Sequence, residues 1–384
     1  MKALLILSCL FFLSNSSKAA AQSSPYIDSH SYYTVEPAPV RVLPVANVSG
    51  NEPRGFYYDA EEEIDEEYDS DDYVDYIRHR GKLRCGTNLQ LKTYAVYEND
   101  EWKGIDADMC KAFALAIIGD ANKIEMVDVD AKNVSKFLQN GKIDVMLSGV
   151  PFFAKEEISG DIESAGLLYY EPQKVMVAED DEEISLSKYN GKKMCMAIGS
   201  DYYRNFEMYS TKHDLDLNYL PFNDMNKVRE GFLLKRCALV TGGALFLEGM
   251  KKSLRYSNLK IFSDKIAMSP VYAMVSSENP ELRLAIKWIL NALYLAEQYE
   301  ITARSLQFFS GHSNQEIRNL LGDDPELWQA LNLRPHWLHD VVAMLGNYGE
   351  IYERNLGEES EYKINRDEGK LQKDGGTVSP LPFM

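Results

Sequence analysis

From residue 82 onward the apolar positions keep changing period. "KLRCGT", Lys82–Thr87, alternates as a strand does, and "DADMCKAFALAII" then puts Met109, Cys110, Phe113 and Ile117 on one helical face, with Asp106 as the expected cap. A strand ("KIEMVDV"), a short helix closed by Gly141 ("AKNVSKFLQNG") and a strand over Ile143–Leu147 follow. The rhythm returns later in the chain. "KKMCMAIG", "LNYLPF" and "CALVTG" read as strands, and the helices "SDYYRNFEMYS", "DMNKVREGFLL" and "ALFLEGMKKSL" follow them in turn. Strands alternating with helices of this length imply parallel pairing and right-handed crossovers.

The two sets echo each other. Asn133–Gly149 and Asn226–Gly243 are each a short amphipathic helix, a polar turn and an apolar strand ending in glycine. Two similar α/β lobes account for this, with Gly166–Asp180 ("GLLYYEPQKVMVAED") as the crossing between them and "SPVYAMVS" as the return. From Glu281 to about Gly357 the pattern is helical, in three segments: "ELRLAIKWILNALYLAEQYEI", "NQEIRNLLG" and "PHWLHDVVAMLGNYGEIYERNLG". The polar residues beyond read as an extended tail.

Composition adds export and rules out some partners. Lys2, the apolar run Leu4–Leu13 and Ala19-Ala20-Ala21 form a secretory signal pattern too short to span a membrane, so the mature protein is expected to be exported and soluble. The 384 residues carry a net charge of −18, and Asp59–Asp75 holds eleven acids and no base. Nucleic acid and anionic membrane surfaces are therefore excluded as expected partners, and the acidic run reads as a solvated linker. Four cysteines remain after the signal segment: Cys85, Cys110, Cys195 and Cys237. An even count in an exported chain points to disulfides, and spacing alone leaves three pairings open.

Catalytic signatures are missing. The sequence has no phosphate-binding glycine loop, no GxSxG elbow and no HExxH, and His336 and His339 read as packing or surface residues rather than metal ligands. No catalytic residue, metal or cofactor is expected. A two-lobed α/β protein of this kind suggests a cleft binder, with its ligand outside the carboxyl ends of strands. The candidate ends are Cys85–Asn88, Leu147–Phe152, Ile198–Asp201 and Thr241–Gly243.

At those ends the chain resembles the polar-amino-acid family of bacterial solute-binding proteins, in its general L-amino-acid-binding branch. "GKLRCGTN", "GIDADMCKAFALAIIGD", "LQNGKIDVMLS", "MCMAIGS" and "KRCALVT" fall in the family's order, and "GNYGEIYERNLG" resembles that branch in particular. The resemblance implies an α/β, two-lobed periplasmic binding protein fold (type II) with a C-terminal helical extension. It implies the pairs Cys85–Cys110 and Cys195–Cys237, a small-molecule solute (an amino acid or a relative of one), and an inner-membrane ABC permease as docking partner. The corresponding division is a signal peptide over 1–21, a disordered acidic linker over 22–75, a first lobe over 76–173 to which 269–310 returns, a second lobe over 174–268, and the extension and tail over 311–384.

Carried over residue by residue, the resemblance gives Tyr94, Ser200 and Asp201 as candidate ligand-binding residues, and the strand end Leu147–Phe152 adds Ser148 and Phe152. Tyr94 is the covering aromatic, Ser148 and Phe152 lie at the end of a first-lobe strand, and Ser200-Asp201 open a second-lobe helix. Tyr94 reads equally as lobe packing, and Phe152, with Phe153, reads sooner as core or hinge packing than as a ligand wall. Asp106 and Asp108 read as helix-start caps rather than ligand contacts. The family's two charged clamps are not kept. Its carboxylate-binding Arg falls on Glu156, beside Lys155, its hydroxyl turn on Val150-Pro151, and its ammonium-binding Asp on Gly243. The first reading is therefore an ABC-type receptor of altered specificity. The second is the same fold repurposed as an exported interaction or sensory module. An exported enzyme, with Glu156 as its one nameable acid, ranks last.

Overall fold

The computed structural model describes residues 72–89, 92–148, 154–178, 185–198, 200–253 and 258–384. The signal segment and most of the acidic run lie outside these residues, as do Phe152, Val150 and Pro151. The described chain begins before Tyr76, where the linker was expected to end. Asp72 accepts from the Val74 N–H and caps α1 (Tyr73–Arg80). Buried Asp144 fixes this helix by meeting Arg80, the Tyr73 hydroxyl (2.9 Å) and the Arg84 N–H (2.7 Å).

The first half is built on β1 (Leu83–Thr87). A small hairpin, β2 (Val96–Glu98) and β3 (Glu101–Lys103), precedes α2 (Ile105–Ile117), and then come β4 (Ile124–Asp128), α3 (Val134–Gln139) and β5 (Val145–Met146). β4 and β5 flank β1, both parallel to it. Of the strand expected over Ile143–Leu147, β5 keeps Val145 and Met146; the Ile143 N–H turns back to the Phe137 carbonyl at 3.1 Å, while the Asp144 and Leu147 N–H groups still donate to β1. After α4 (Ala154–Ser159), the chain enters the 17-residue strand β6 (Ile162–Ala178).

The second half repeats the plan. β7 (Lys193–Ala197), α5 (Asp201–Lys212), β8 (Asn218–Phe222), α6 (Met225–Leu233), β9 (Leu239–Gly243) and α7 (Ala244–Ser253) place β7 between β8 and β9, again parallel. β10 (Leu259–Ile261) pairs with β6, and β11 (Ala267–Ser276) returns antiparallel along β6. Among the described residues the halves thus share one nine-stranded sheet, ordered β4-β1-β5-β11-β6-β9-β7-β8 with β10 on β6. The parallel pairing expected within each half is present, and the two long strands through the middle add antiparallel pairing. Both disulfides expected from the resemblance form: Cys85–Cys110 ties β1 to α2, and Cys195–Cys237 ties β7 to the turn before β9.

The C-terminal part is helical: α8 (Pro280–Gln298), α9 (Gln315–Leu320), α10 (Pro325–Ala330), α11 (Trp337–Leu345) and α12 (Tyr348–Asn355). "PHWLHDVVAMLGNYGEIYERNLG" is two helices, not one. Gly346 (φ 83°) ends α11, and Asn347 with Glu350 forms a capping box that starts α12. These helices enclose α2, every residue of which is buried. Asp108 joins them, accepting from Arg354 (2.7 Å) and Asn355 (2.7 Å) of α12. The tail is not simply extended and polar: Ile364, Leu371, Val378 and Phe383 are buried against the core.

Candidate functional site

The site lies where β6 passes between the halves. Alternation along the strand puts Tyr169, Glu171 and Gln173 on one face, and all three are buried. On the first-half side, Asp106 accepts from the Thr87 and Ser148 hydroxyls, and Ser148 Oγ in turn lies 2.9 Å from Tyr169 Oη. On the second-half side, Glu171 accepts from Tyr202 Oη at 3.2 Å and from the Leu245 N–H, in the first turn of α7, at 3.3 Å. Tyr94 Oη reaches the same carboxyl from the first half at 3.5 Å, the outer limit of a hydrogen bond. Gln173 Nε2 donates to the Tyr202 carbonyl (2.8 Å) and to Thr241 Oγ1 (2.9 Å), while its Oε1 has no hydrogen-bond partner among the described residues.

Asp106 corrects the sequence reading. The cap of α2 is Gly104, at φ 113°, and Asp106 sits inside the first turn with its carboxyl turned into the site. Glycine is required at 104, since a Cβ there would lie 2.3 Å from the Tyr94 carbonyl oxygen. That close approach also lets the Asp106 N–H donate to the Tyr94 carbonyl at 3.2 Å.

The electrostatics follow from burial. Desolvation raises Asp106 to about 7 against the hydroxyl bonds of Ser148 and Thr87. It raises Glu171 to about 7 against the bonds from Tyr202 and the Leu245 N–H. Among the described residues no cation opposes either shift. The phenols of Tyr94, Tyr169 and Tyr202 are held well above their usual range, first by burial and then by Glu171.

Of the residues expected at the site, Tyr94 and Ser148 are part of this cluster. Ser200 caps α5 only through its backbone, its hydroxyl donating to the Ala197 carbonyl at 2.6 Å. Asp201 pairs with Arg204 rather than with the cluster. Phe152 lies outside the described residues, as do the side chains of Lys155 and Glu156. Glu171, Gln173, Tyr169 and Tyr202 went unread. The available signal was a glutamate and a glutamine two apart in a crossing strand, "LLYYEPQKVMV", whose other residues apart from Lys174 are apolar or aromatic.

Glu171 also explains Gly243. A Cβ on Gly243 would lie 2.3 Å from the Glu171 carboxyl carbon, so this carboxyl fills the space that a side chain at 243 would take. Gly243→Ala should therefore cost about 1–3 kcal/mol through overpacking. Most of that loss should vanish in a Glu171→Ala background, and denaturant titration of the double-mutant cycle measures the coupling. Additive effects would show that the two positions do not compete for this space.

Two α/β halves with matching strand order, joined by long crossing strands over a shared buried polar cluster, define a two-lobed binding protein. Residues 83–307 match the Bacterial extracellular solute-binding proteins, family 3, and the chain belongs to that family. It is similar to the general L-amino acid-binding periplasmic protein AapJ of Rhizobium johnstonii, with 27% identity over 78% of this chain and 89% of the relative. The glutamate/glutamine/aspartate/asparagine-binding protein BztA of Rhodobacter capsulatus is 25% identical over 81% of this chain and 93% of its own. Among solved structures, a Brucella ovis ABC transporter/periplasmic binding protein with glutathione bound superposes with a TM-score of 0.73 and 28% identity, covering 82% of this chain and 99% of that one. The fold is the type II periplasmic binding protein fold with a C-terminal helical extension. The family is one of solute-binding proteins, not of enzymes.

Proposed function

We propose that this chain is a periplasmic receptor of an ABC-type importer whose cleft recognises its solute through a cationic amine, not through the Arg and Asp clamps of its amino-acid-binding relatives. One observation carries the reading. The carboxyl of Glu171 occupies the space beside Gly243, buried at the junction of the halves, with neutral donors around it and no cation among the described residues. The unpartnered Gln173 Oε1 adds an acceptor on the same strand face. Acceptors without a local cation suit a ligand that brings N–H donors and positive charge. The named relatives bind amino acids and the Brucella protein is described with glutathione, so amine-bearing amino-acid derivatives and peptides are the natural panel. An inner-membrane permease is the corresponding partner.

Thermal shift and calorimetry at pH 8, on protein lacking residues 1–71, test this with diamines, basic amino acids, amino-acid amides, acidic amino acids and glutathione. A ligand at a hundredfold excess over Kd adds about 2.7 kcal/mol of stability. Cationic amines are expected to give the shifts and acidic amino acids to give none. Tight binding of glutamate or aspartate would defeat the proposal. The second reading, a repurposed interaction module, draws on the same carboxyl: Tyr94 of one half and Tyr202 and Leu245 of the other meet on Glu171, so the protein's own residues join the halves there. A panel without any hit favours that reading.

A further inference from the structure

The matched family region ends at residue 307, and the chain continues for a further stretch that no part of the proposed solute site uses. Its last segment, from Leu356 on, is anchored firmly in the first half. Buried Arg366 forks onto Glu297 of α8 (Nη2 at 3.1 Å) and lies over the rings of Tyr348 (4.8 Å) and Tyr352 (5.3 Å) of α12. Tyr352 donates to the Ile364 carbonyl at 3.3 Å. Further along, the Leu381 N–H donates to Asn291 of α8 at 2.7 Å, and the Phe383 ring packs edge-on against Trp288 at 5.5 Å.

Between these anchors the segment touches the second half with charge. Glu361 pairs with Lys252 of α7, and that ammonium also sits 3.9 Å from the centre of the Tyr362 ring. Asp367 and Glu368 together clamp Lys265, in the link from β10 to β11, at 2.8 and 3.2 Å. Thr377 reaches Tyr170 of β6, the neighbour of Glu171, at 3.3 Å. The anchors are buried and partly apolar, whereas the second-half contacts are partly exposed ion pairs. A strap fixed hard to the first half and joined to the second by exposed charges resists separation of the halves only as long as those charges stay paired.

We infer that residues 356–378 form an electrostatic strap that biases the two halves toward the closed arrangement and releases them as ionic strength rises. The inference rests on the reading that the halves move about β6 and β11, as in a receptor that closes on its solute. Exposed pairs are individually weak and are screened by salt. Breaking both lysine contacts should therefore raise the open population about fivefold, not abolish closure.

The test places spin labels on Lys123→Cys in the first half and Lys212→Cys in the second, both exposed, and measures the interlabel distance distribution without ligand. Lys252→Glu/Lys265→Glu should enlarge the long-distance population about fivefold at low salt. Half-molar salt should do the same to the parent protein and add little to the variant. Adding Glu361→Lys/Asp367→Lys/Glu368→Lys should restore the parent distribution, which separates lost pairing from misfolding. A distribution unmoved by salt or by the lysine reversals overturns the strap, and so does a failure of the charge swap to restore it. Saturating amine is the control on the receptor reading. If the amine shortens the distance while the lysine reversals do nothing, the strap fails and the receptor reading stands. If salt and the reversals open the molecule while no amine closes it, the strap stands and the receptor reading fails.

Discussion

Glu171→Gln is expected to weaken binding of a cationic amine by about 10²–10⁴-fold at pH 8, and to do so far less at pH 5. The carboxyl is buried at the junction of the halves, so the amide leaves the ligand's charge in the same dry place without a counter-ion, a loss of about 3–5 kcal/mol. The pH dependence separates this effect from a packing defect. The free carboxyl titrates at about 7 because burial disfavours its charge. Below that pH a proton competes with the ligand, and parent affinity should fall about tenfold per unit, to roughly a hundredth at pH 5. The amide has no proton to bind, so its affinity should stay level over the same range once ligand titration is subtracted. Calorimetry across pH 5–8 on both proteins measures this. Parallel curves for parent and Glu171→Gln would remove Glu171 from ligand recognition.

The part of the fold that was legible in the sequence is the part where burial and period coincide. Two parallel units with a central cysteine-bearing strand follow from "KLRCGT", whose alternation puts Leu83 and Cys85 inward, and from the apolar run of "KKMCMAIG", where Met194–Ala197 are buried. The β2–β3 hairpin was missed although its turn carries a local signal: Asn99 and Asp100 both sit at positive φ (55° and 62°), as a type I′ turn requires. Three-residue exposed strands leave no alternation to count. The start of α1, Tyr73–Asp75, falls inside the expected acidic linker because the hold on this helix is tertiary. Asp144, 64 positions from Arg80, provides the partner, and no window of the sequence joins them.

Two of the candidate residues, Tyr94 and Ser148, belong to the buried cluster, while its carboxyls at Asp106 and Glu171 lie outside the candidate set. Tyr94 follows from the resemblance and Ser148 from its place at a strand end, and Gly243 stands where the resemblance implies an Asp. Its replacement comes from Glu171 on a different strand, and only the pairing of β6 with β9 brings the two together: Gln173 sits opposite Gly243. In the sequence Asp106 reads as a cap because Asp at a helix start normally is one. What overrode that prior is Gly104, whose conformation moves the start of α2 back and leaves Asp106 free to face Thr87 and Ser148.

The same two carboxyls should dominate the pH dependence of stability without ligand. In the unfolded chain they titrate near 4, and in the folded protein both are raised to about 7. Between those values the folded protein holds protons that the unfolded chain has released, so stability falls as pH rises through 4–7. The cost is absent below about 4 and complete above about 7. Each group contributes a slope of roughly 1.4 kcal/mol per pH unit inside the window, with ceilings of about 4 kcal/mol for Asp106 and about 3 kcal/mol for Glu171. Asp106→Asn/Glu171→Gln removes both titrations. At pH 4.5 it should be no more stable than the parent, because the amides disturb hydrogen bonds that the neutral acids keep. Its stability relative to the parent should then climb by several kcal/mol up to pH 8, as read by urea unfolding at fixed ionic strength. A stability difference that stays constant from pH 4.5 to 8 would mean that neither carboxyl is proton-linked to folding. A cationic ligand should flatten the parent's profile by supplying the missing charge, so the pH slope reports on site occupancy as well.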